Sequence, residues 1–253
     1  MMIVILSFDD GRCDTYFNSF RIIKKYNLTA SVHITTGFID NTFKTDEFGV
    51  GMKPLTISEI KEMNEYGIDI SSHGDKHVME SSDYFISKNK IISWVSKNSV
   101  GFSVPNSSAS KTQIDEFLKN TKYDPLYVRV GRNLKCKSFL NKARYVVYKI
   151  LKFQLAFNKF NKINLNTNND KYFIKSCVIK SHTRAKSVIN FIKKYHSNDY
   201  TFVLMLHSVC DDPSNQWEWS TKNFDALCSS LKRMSDNKEI VVTNLFDNYG
   251  GRE

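Results

Sequence analysis

Ile3-Val4-Ile5-Leu6-Ser7-Phe8-Asp9-Asp10-Gly11 opens the chain after two methionines. The first six residues form a short run that is apolar throughout save one serine, the pattern of a strand buried on both faces. Two adjacent carboxylates follow where that strand runs out. Asp-Asp-Gly is turn chemistry, because Asp side chains hydrogen-bond the nearby backbone and Gly accepts positive φ. Alone, the triplet reads as a turn. The other reading, chemistry at a strand end, depends on what the rest of the chain brings to it.

Strand and helix signals alternate downstream. Residues 15–26 place Phe17, Phe20 and Ile23 at helical spacing, and 30–35 read as a second strand. A helix over 57–66 opens at Thr56 or Ser58 and closes at Gly67, before a strand at 68–71. Helices at 82–98 and 111–120 flank a strand at 101–104. Further strands are expected at 126–130, at 172–174 or 176–179, at 202–206 and at 239–243, with helices at 188–195 and 224–234. This order predicts an α/β fold: a single-domain (β/α) barrel of about seven strands, distorted or incomplete. Chemistry in such barrels gathers at the carboxyl ends of the strands. Asp9, Asp10, His73, Pro105, Arg129 and His207 all fall at such ends.

The bulk properties agree. At 253 residues, 41% hydrophobic and 13% aromatic, the chain can bury a substantial core and is not disordered. No apolar run reaches the ~18–20 residues of a membrane helix. The apolar start is too short for a secretory signal, so a cytoplasmic location is expected. Cys13, Cys136, Cys177, Cys210 and Cys228 are odd in number and lack CxxC spacing, which suits reduced thiols. The net charge of +10 raises the question of an anionic partner.

After the third strand comes Ser72-His73-Gly74-Asp75-Lys76-His77. On a helical turn the i, i+4 histidines would share one face and one metal ion; alone, they read as two surface histidines beside a turn. His207 follows the apolar strand at 202–206 and, alone, is a structural histidine. Together with a carboxylate, the pair forms a facial site for zinc or another divalent transition metal. With Asp10 ligating the ion, Asp9 stays ionised as a general base and His207 can protonate a leaving group.

SFDDG, SHGDKH, SVPNS and LMLH, in that order, resemble the motifs of the polysaccharide deacetylases, the NodB-homology enzymes or carbohydrate esterase family four. The lead-in from Pro54 to His77 is similar to that family's helix and strand, with Asp69 where an acidic residue is usual. The resemblance implies Asp9 as catalytic base, Asp10, His73 and His77 as metal ligands, and His207 as catalytic acid. It implies one divalent ion, zinc or else cobalt, nickel or manganese, and hydrolysis of an N-acetyl group from an amino sugar in glycan or surface-polysaccharide biosynthesis. A backbone N–H near Cys13 would support the oxyanion.

The pattern also breaks. The family's third motif is Arg-x-Pro-x-Gly; here Ser103-Val104-Pro105-Asn106-Ser107 keeps only Pro105, and no Asp-x-x-Asp-Trp is recognisable. Arg129, or alternatively Arg132, could supply the missing cation beside Asp9, the other reading being a surface arginine. Trp217 and Trp219 could stack on a sugar or pack against Phe224.

Residues 127–169 contain ten lysines and arginines and no acidic residue. They are expected to include a basic helical insertion at about 132–168, amphipathic over 138–160. Residues 132–162 could lie on an anionic membrane, bind the phosphates of a nucleotide- or lipid-linked sugar, or pack on the barrel. Nucleic acid is not expected, since no reading motif is present. A non-sugar amide hydrolase and a non-catalytic carbohydrate-binding barrel are the alternatives to the deacetylase.

Overall fold

The computed structural model describes residues 1–107, 109–131, 139–167 and 170–250. Strand β1 (Met2–Phe8) leads to a π-wound stretch, Thr15–Phe20, continuing as helix α1 (Arg21–Lys25). Then come β2 (Ser31–Ile34), α2 (Thr36–Ile39), α3 (Ile57–Tyr66), β3 (Asp69–Ser72), α4 (Ser81–Val95) and β4 (Phe102–Ser103). Helix α5 (Lys111–Asn120), β5 (Val128–Gly131), α6 (Phe139–Leu151), α7 (Gln154–Asn161) and β6 (Ile174–Val178) follow. The chain ends with α8 (Ala185–Tyr195), β7 (Thr201–Leu206), β8 (Ser208–Cys210), β9 (Glu218–Ser220), α9 (Thr221–Asp236), β10 (Ile240–Thr243) and α10 (Leu245–Tyr249).

Strands β1 to β7 pair in chain order, all parallel, and β7 returns to β1 in register from Ile3↔Thr201 to Phe8↔Leu206. The barrel is therefore a closed ring of seven, not an incomplete one. Its distortion lies at β1, which pairs with β10 over Met2–Ile5 and with β2 only at Ser7 and Phe8. The strand expected at 239–243 thus lies outside the ring.

Helix boundaries follow local chemistry. Thr56 accepts from the Glu59 N–H at 3.2 Å while Glu59 accepts from the Thr56 N–H at 2.7 Å, a capping box, and Gly67 closes α3 at φ 104°. The helix expected over 15–26 differs: i→i+5 winding at its start turns Phe17 outward, 45% exposed, while Phe20 and Ile23 stay buried.

Period-two alternation layers the interior. At the N-terminal end Ile5, Tyr127, Ile174, Val203 and Leu245 form an apolar plug. Above it, Ser7, His33, Ser71, Arg129 and Ser176 point inward and are all buried. The next positions on the same faces, at the carboxyl mouth, are Asp9 and His207.

Candidate active site

The turn after β1 is set by backbone geometry. Asp10 and Gly11 both adopt positive φ, 76° and 84°, a conformation that Asp tolerates and Gly prefers. The segment 53–55 clamps this turn: Cys13 N–H donates to Lys53 O at 2.9 Å and Leu55 N–H to Gly11 O at 2.9 Å. The Cys13 N–H is therefore committed to the backbone.

His73 and His77 do not lie on a helical turn as the spacing suggested. Gly74 and His77 have φ of 84° and 59°, and the loop is cinched by Asp83, whose carboxylate accepts the Asp75 and Lys76 N–H groups at 2.8 and 2.9 Å. This fold still brings the two rings together, with Nε2 atoms 3.2 Å apart. His73 Nε2 is 3.6 Å from Asp10 Oδ1, and the three donor atoms lie within 4.8 Å of one another.

The protonation pattern tests whether a cation fits. His73 Nδ1 faces the Ser103 carbonyl at 2.9 Å and His77 Nδ1 faces the Glu47 carboxylate at 3.1 Å. Both partners are acceptors, so both Nδ1 atoms carry the proton and both Nε2 lone pairs face each other. Arg12 holds the other Asp10 oxygen through Nε and Nη2, at 2.8 and 2.6 Å, leaving Oδ1 for the same point. Ligand bonds of about 2.1 Å in a tetrahedral shell separate neighbouring donors by about 3.4 Å, close to the 3.2 and 3.6 Å that separate His73 Nε2 from His77 Nε2 and from Asp10 Oδ1. The donor set fits a divalent cation.

Asp9 lies beneath this cluster, fully buried. Burial alone would raise its carboxyl, but Arg129, His73, His33 and His207 outweigh it and hold the group below the ordinary carboxylate range. Arg129 Nη2 donates to Asp9 Oδ1 and to the Ser103 hydroxyl, and Nη1 donates to Ser176 at 3.1 Å. Asp9 Oδ2 has no hydrogen-bond partner among the described residues. Arg132 lies outside the described residues.

A pocket of about 320 Å³ opens above, lined by Asp10, Arg12, His73, His77, His207 and Trp217, with Phe48 and Asn106 in its walls. His207 is pushed below the ordinary imidazole value by burial, against the pull of Asp10 and Asp9, and its ring stands 4.8 Å from Trp217. Trp219 is fully buried, donating to Thr183 O at 2.7 Å and packing near Phe224, so it is a core residue. Pro105 is buried at the start of a 3-10 turn and does not line the pocket.

Sequence reasoning missed Arg12, His33, Glu47 and Phe48. Arg12 adjoins the aspartates and could have been weighed as their partner. Glu47 and Phe48 come from a loop with no motif; Phe48 packs 5.1 Å from His77.

Residues 2–124 match the family model described as Polysaccharide deacetylase, a span holding Asp9, Asp10, His73 and His77 but not Arg129 or His207. A Bacillus subtilis (strain 168) protein, YxkH, whose name places it among the polysaccharide deacetylases, is 31% identical over 75 residues, which is 30% of this chain and 23% of that protein. The whole fold is similar to the Bc1960 peptidoglycan N-acetylglucosamine deacetylase (TM-score 0.56, 10% identity, 99% of this chain and 94% of that one). It is also similar to a family 4 acetyl xylan esterase from Clostridium thermocellum, solved with a cobalt ion (TM-score 0.54, 14% identity, 98% and 90%). At these identities the structures show a shared fold. Residues 2–124, just under half of the chain, thus match the polysaccharide deacetylase family model, and the remaining strands close the barrel that they begin.

Proposed function

We propose that the protein hydrolyses the N-acetyl group of an amino sugar, using a divalent cation held by Asp10, His73 and His77. The observation that carries this reading is two imidazole lone pairs and one carboxylate oxygen converging beside the unpartnered Oδ2 of a buried, ionised Asp9. Two nitrogens and one oxygen suit zinc. When bound, such an ion polarises an amide carbonyl and makes water a better nucleophile at neutral pH.

The chain's own groups supply the proton transfers. Asp9 takes a proton from the attacking water, the C–N bond breaks, and His207 gives a proton to the departing nitrogen, yielding acetate and a free amine. Arg129 keeps Asp9 ionised and fixes its orientation through Oδ1, leaving Oδ2 for the water. In this reading Arg129 replaces the absent arginine of the third motif, since Ser103 and Arg129 are register partners on β4 and β5. Trp217 offers a ring face for the sugar. Lys180 Nζ lies 4.5 Å over that ring, which favours a sugar bearing an anionic nucleotide or lipid carrier.

Elemental analysis of wild type and His73→Ala, with acetate release from free, nucleotide-linked and lipid-linked N-acetyl sugars, tests the proposal. Stoichiometric metal lost in the variant, with acetate release abolished by Asp9→Asn, supports it. Metal without acetate would point to another amide bond, and no metal after reconstitution to a barrel that only binds.

A further inference from the structure

Helix α6 is apolar on two faces. Inward, Tyr148 packs 4.9 Å from Phe157, which meets Phe191 of α8 at 5.9 Å and ties the α6–α7 hairpin to the barrel. Outward, Val146 and Ile150, and Val147 and Leu151, repeat at i, i+4, and the turn into α7 adds Phe153 and Leu155. Ile150, Leu151, Phe153 and Leu155 are 68, 55, 57 and 60% exposed. A surface helix in water places polar residues on that side, and a contiguous exposed apolar patch marks an interaction surface.

Cations surround the patch. Burial, Arg184 and Lys149 hold the Lys152 ammonium below its ordinary range; burial and Lys149 do the same to Lys180. Among the described residues none of these four is ion-paired, and no acidic residue occurs anywhere in 127–169. The same corner adjoins the pocket. Lys152 Nζ donates to His182 O at 2.9 Å, and Lys180 Nζ covers Trp217 in the pocket wall.

We propose that the α6–α7 tip docks the protein on an anionic lipid surface, the apolar side chains entering the interface and the cations meeting headgroup phosphates. Docked this way, the pocket mouth stands beside the headgroups, where a lipid-linked sugar would be presented. Among the described residues no helix is long and apolar enough to cross a membrane. The docking does not depend on the proposed hydrolysis and is measured without substrate.

Co-sedimentation of the full chain with phosphatidylcholine vesicles, with and without phosphatidylglycerol, tests it. Binding should require phosphatidylglycerol and weaken with salt. Phe153→Ser/Leu155→Ser should lower partition by about tenfold or more, and Lys149→Gln/Lys152→Gln by roughly 25-fold. Near-ultraviolet circular dichroism unchanged from wild type would confirm that these exposed substitutions leave the fold intact. Equal binding to neutral vesicles, or variants that bind like wild type, would overturn the proposal. So would a concentration-dependent dimer that Phe153→Ser dissolves without any vesicle binding.

Discussion

Arg129 and Asp9 are 120 residues apart in the chain and joined by a fully buried ion pair, with the Ser103 hydroxyl donating to the same Asp9 oxygen at 3.2 Å. Removing the cation leaves a buried carboxylate uncompensated, a loss of about 3–5 kcal/mol. Arg129→Ala should therefore lower stability by that order, read as a urea midpoint shift. Arg129→Lys should fold better but lose turnover, because one ammonium cannot reach Asp9, Ser103 and Ser176 at once. Full turnover in the lysine variant would remove Arg129 from the proposed mechanism.

Much of this was visible in residue order. Strand positions are readable because a closed parallel barrel needs continuous apolar runs, and α3 and α5 are readable because capping boxes write their starts into Thr56–Glu59 and Ser110–Gln113. Asp9, His73 and His207 follow from the same logic, since each is the next residue after a strand. What could not be read depends on loops and on parity. The left-handed Gly74 and His77 have no periodic signature, so the histidine pair looked helical. Trp217 and Trp219 are two apart and would share a face on a regular strand, but β9 begins at Glu218, so Trp217 lies outside the alternation that buries Trp219. His33 was invisible because the polar layer inside the barrel arises from seven strands at once.

Cation binding should stabilise the fold as well as equip the site. A ligand at a thousandfold excess over its Kd adds about 4 kcal/mol to the native state. Dialysis against a chelator should lower the melting temperature of wild type and restoring zinc should recover it. Asp10→Asn and His73→Ala should show neither response. A melting temperature insensitive to chelator in metal-replete wild type would count against a cation on these residues.

The two neighbouring tryptophans should separate cleanly. Trp217 lines the pocket, so Trp217→Ala should raise KM about tenfold with little change in stability. Trp219 is fully buried, so Trp219→Ala should cost about 3–5 kcal/mol. The reverse pattern would mean that Trp219, not Trp217, lines the pocket.

His33 gives the barrel interior an acid sensitivity. Tyr127 donates its hydroxyl proton to Asp69 at 2.7 Å and so accepts from His33 Nε2 at 3.0 Å, while Nδ1 lies 3.4 Å from the Ser7 hydroxyl and 3.3 Å from the Phe8 carbonyl. Burial, then Arg129, push the imidazole down to about 3 despite Asp9 and Asp69. The unfolded chain takes up a proton near pH 6.5 that the folded one refuses, so stability is complete above about 6.5 and falls as pH drops toward 3. At pH 4.5 the loss from this group is about 2–3 kcal/mol. Urea midpoints of wild type and His33→Gln at pH 7 and pH 4.5 check it. The readout is the difference in pH dependence, which would be nil if His33 were protonated in the fold.

Gly101 shows how closely the layers are stacked. A Cβ there would lie 2.0 Å from Cζ of Tyr127, a buried ring whose hydroxyl is fixed by Asp69 and His33. Neither the ring nor β4 can yield without moving Ser103, which carries the carbonyl for His73 and the hydroxyl for Asp9. Gly101→Ala should therefore destabilise by about 3 kcal/mol and weaken cation binding, although it touches no ligand. Tyr127→Leu removes the clash, so in the double variant part of the Gly101→Ala loss should disappear, a coupling that a double-mutant cycle measures directly. Additive losses would mean that the steric contact is relieved elsewhere and that β4 is not pinned to the ligand set.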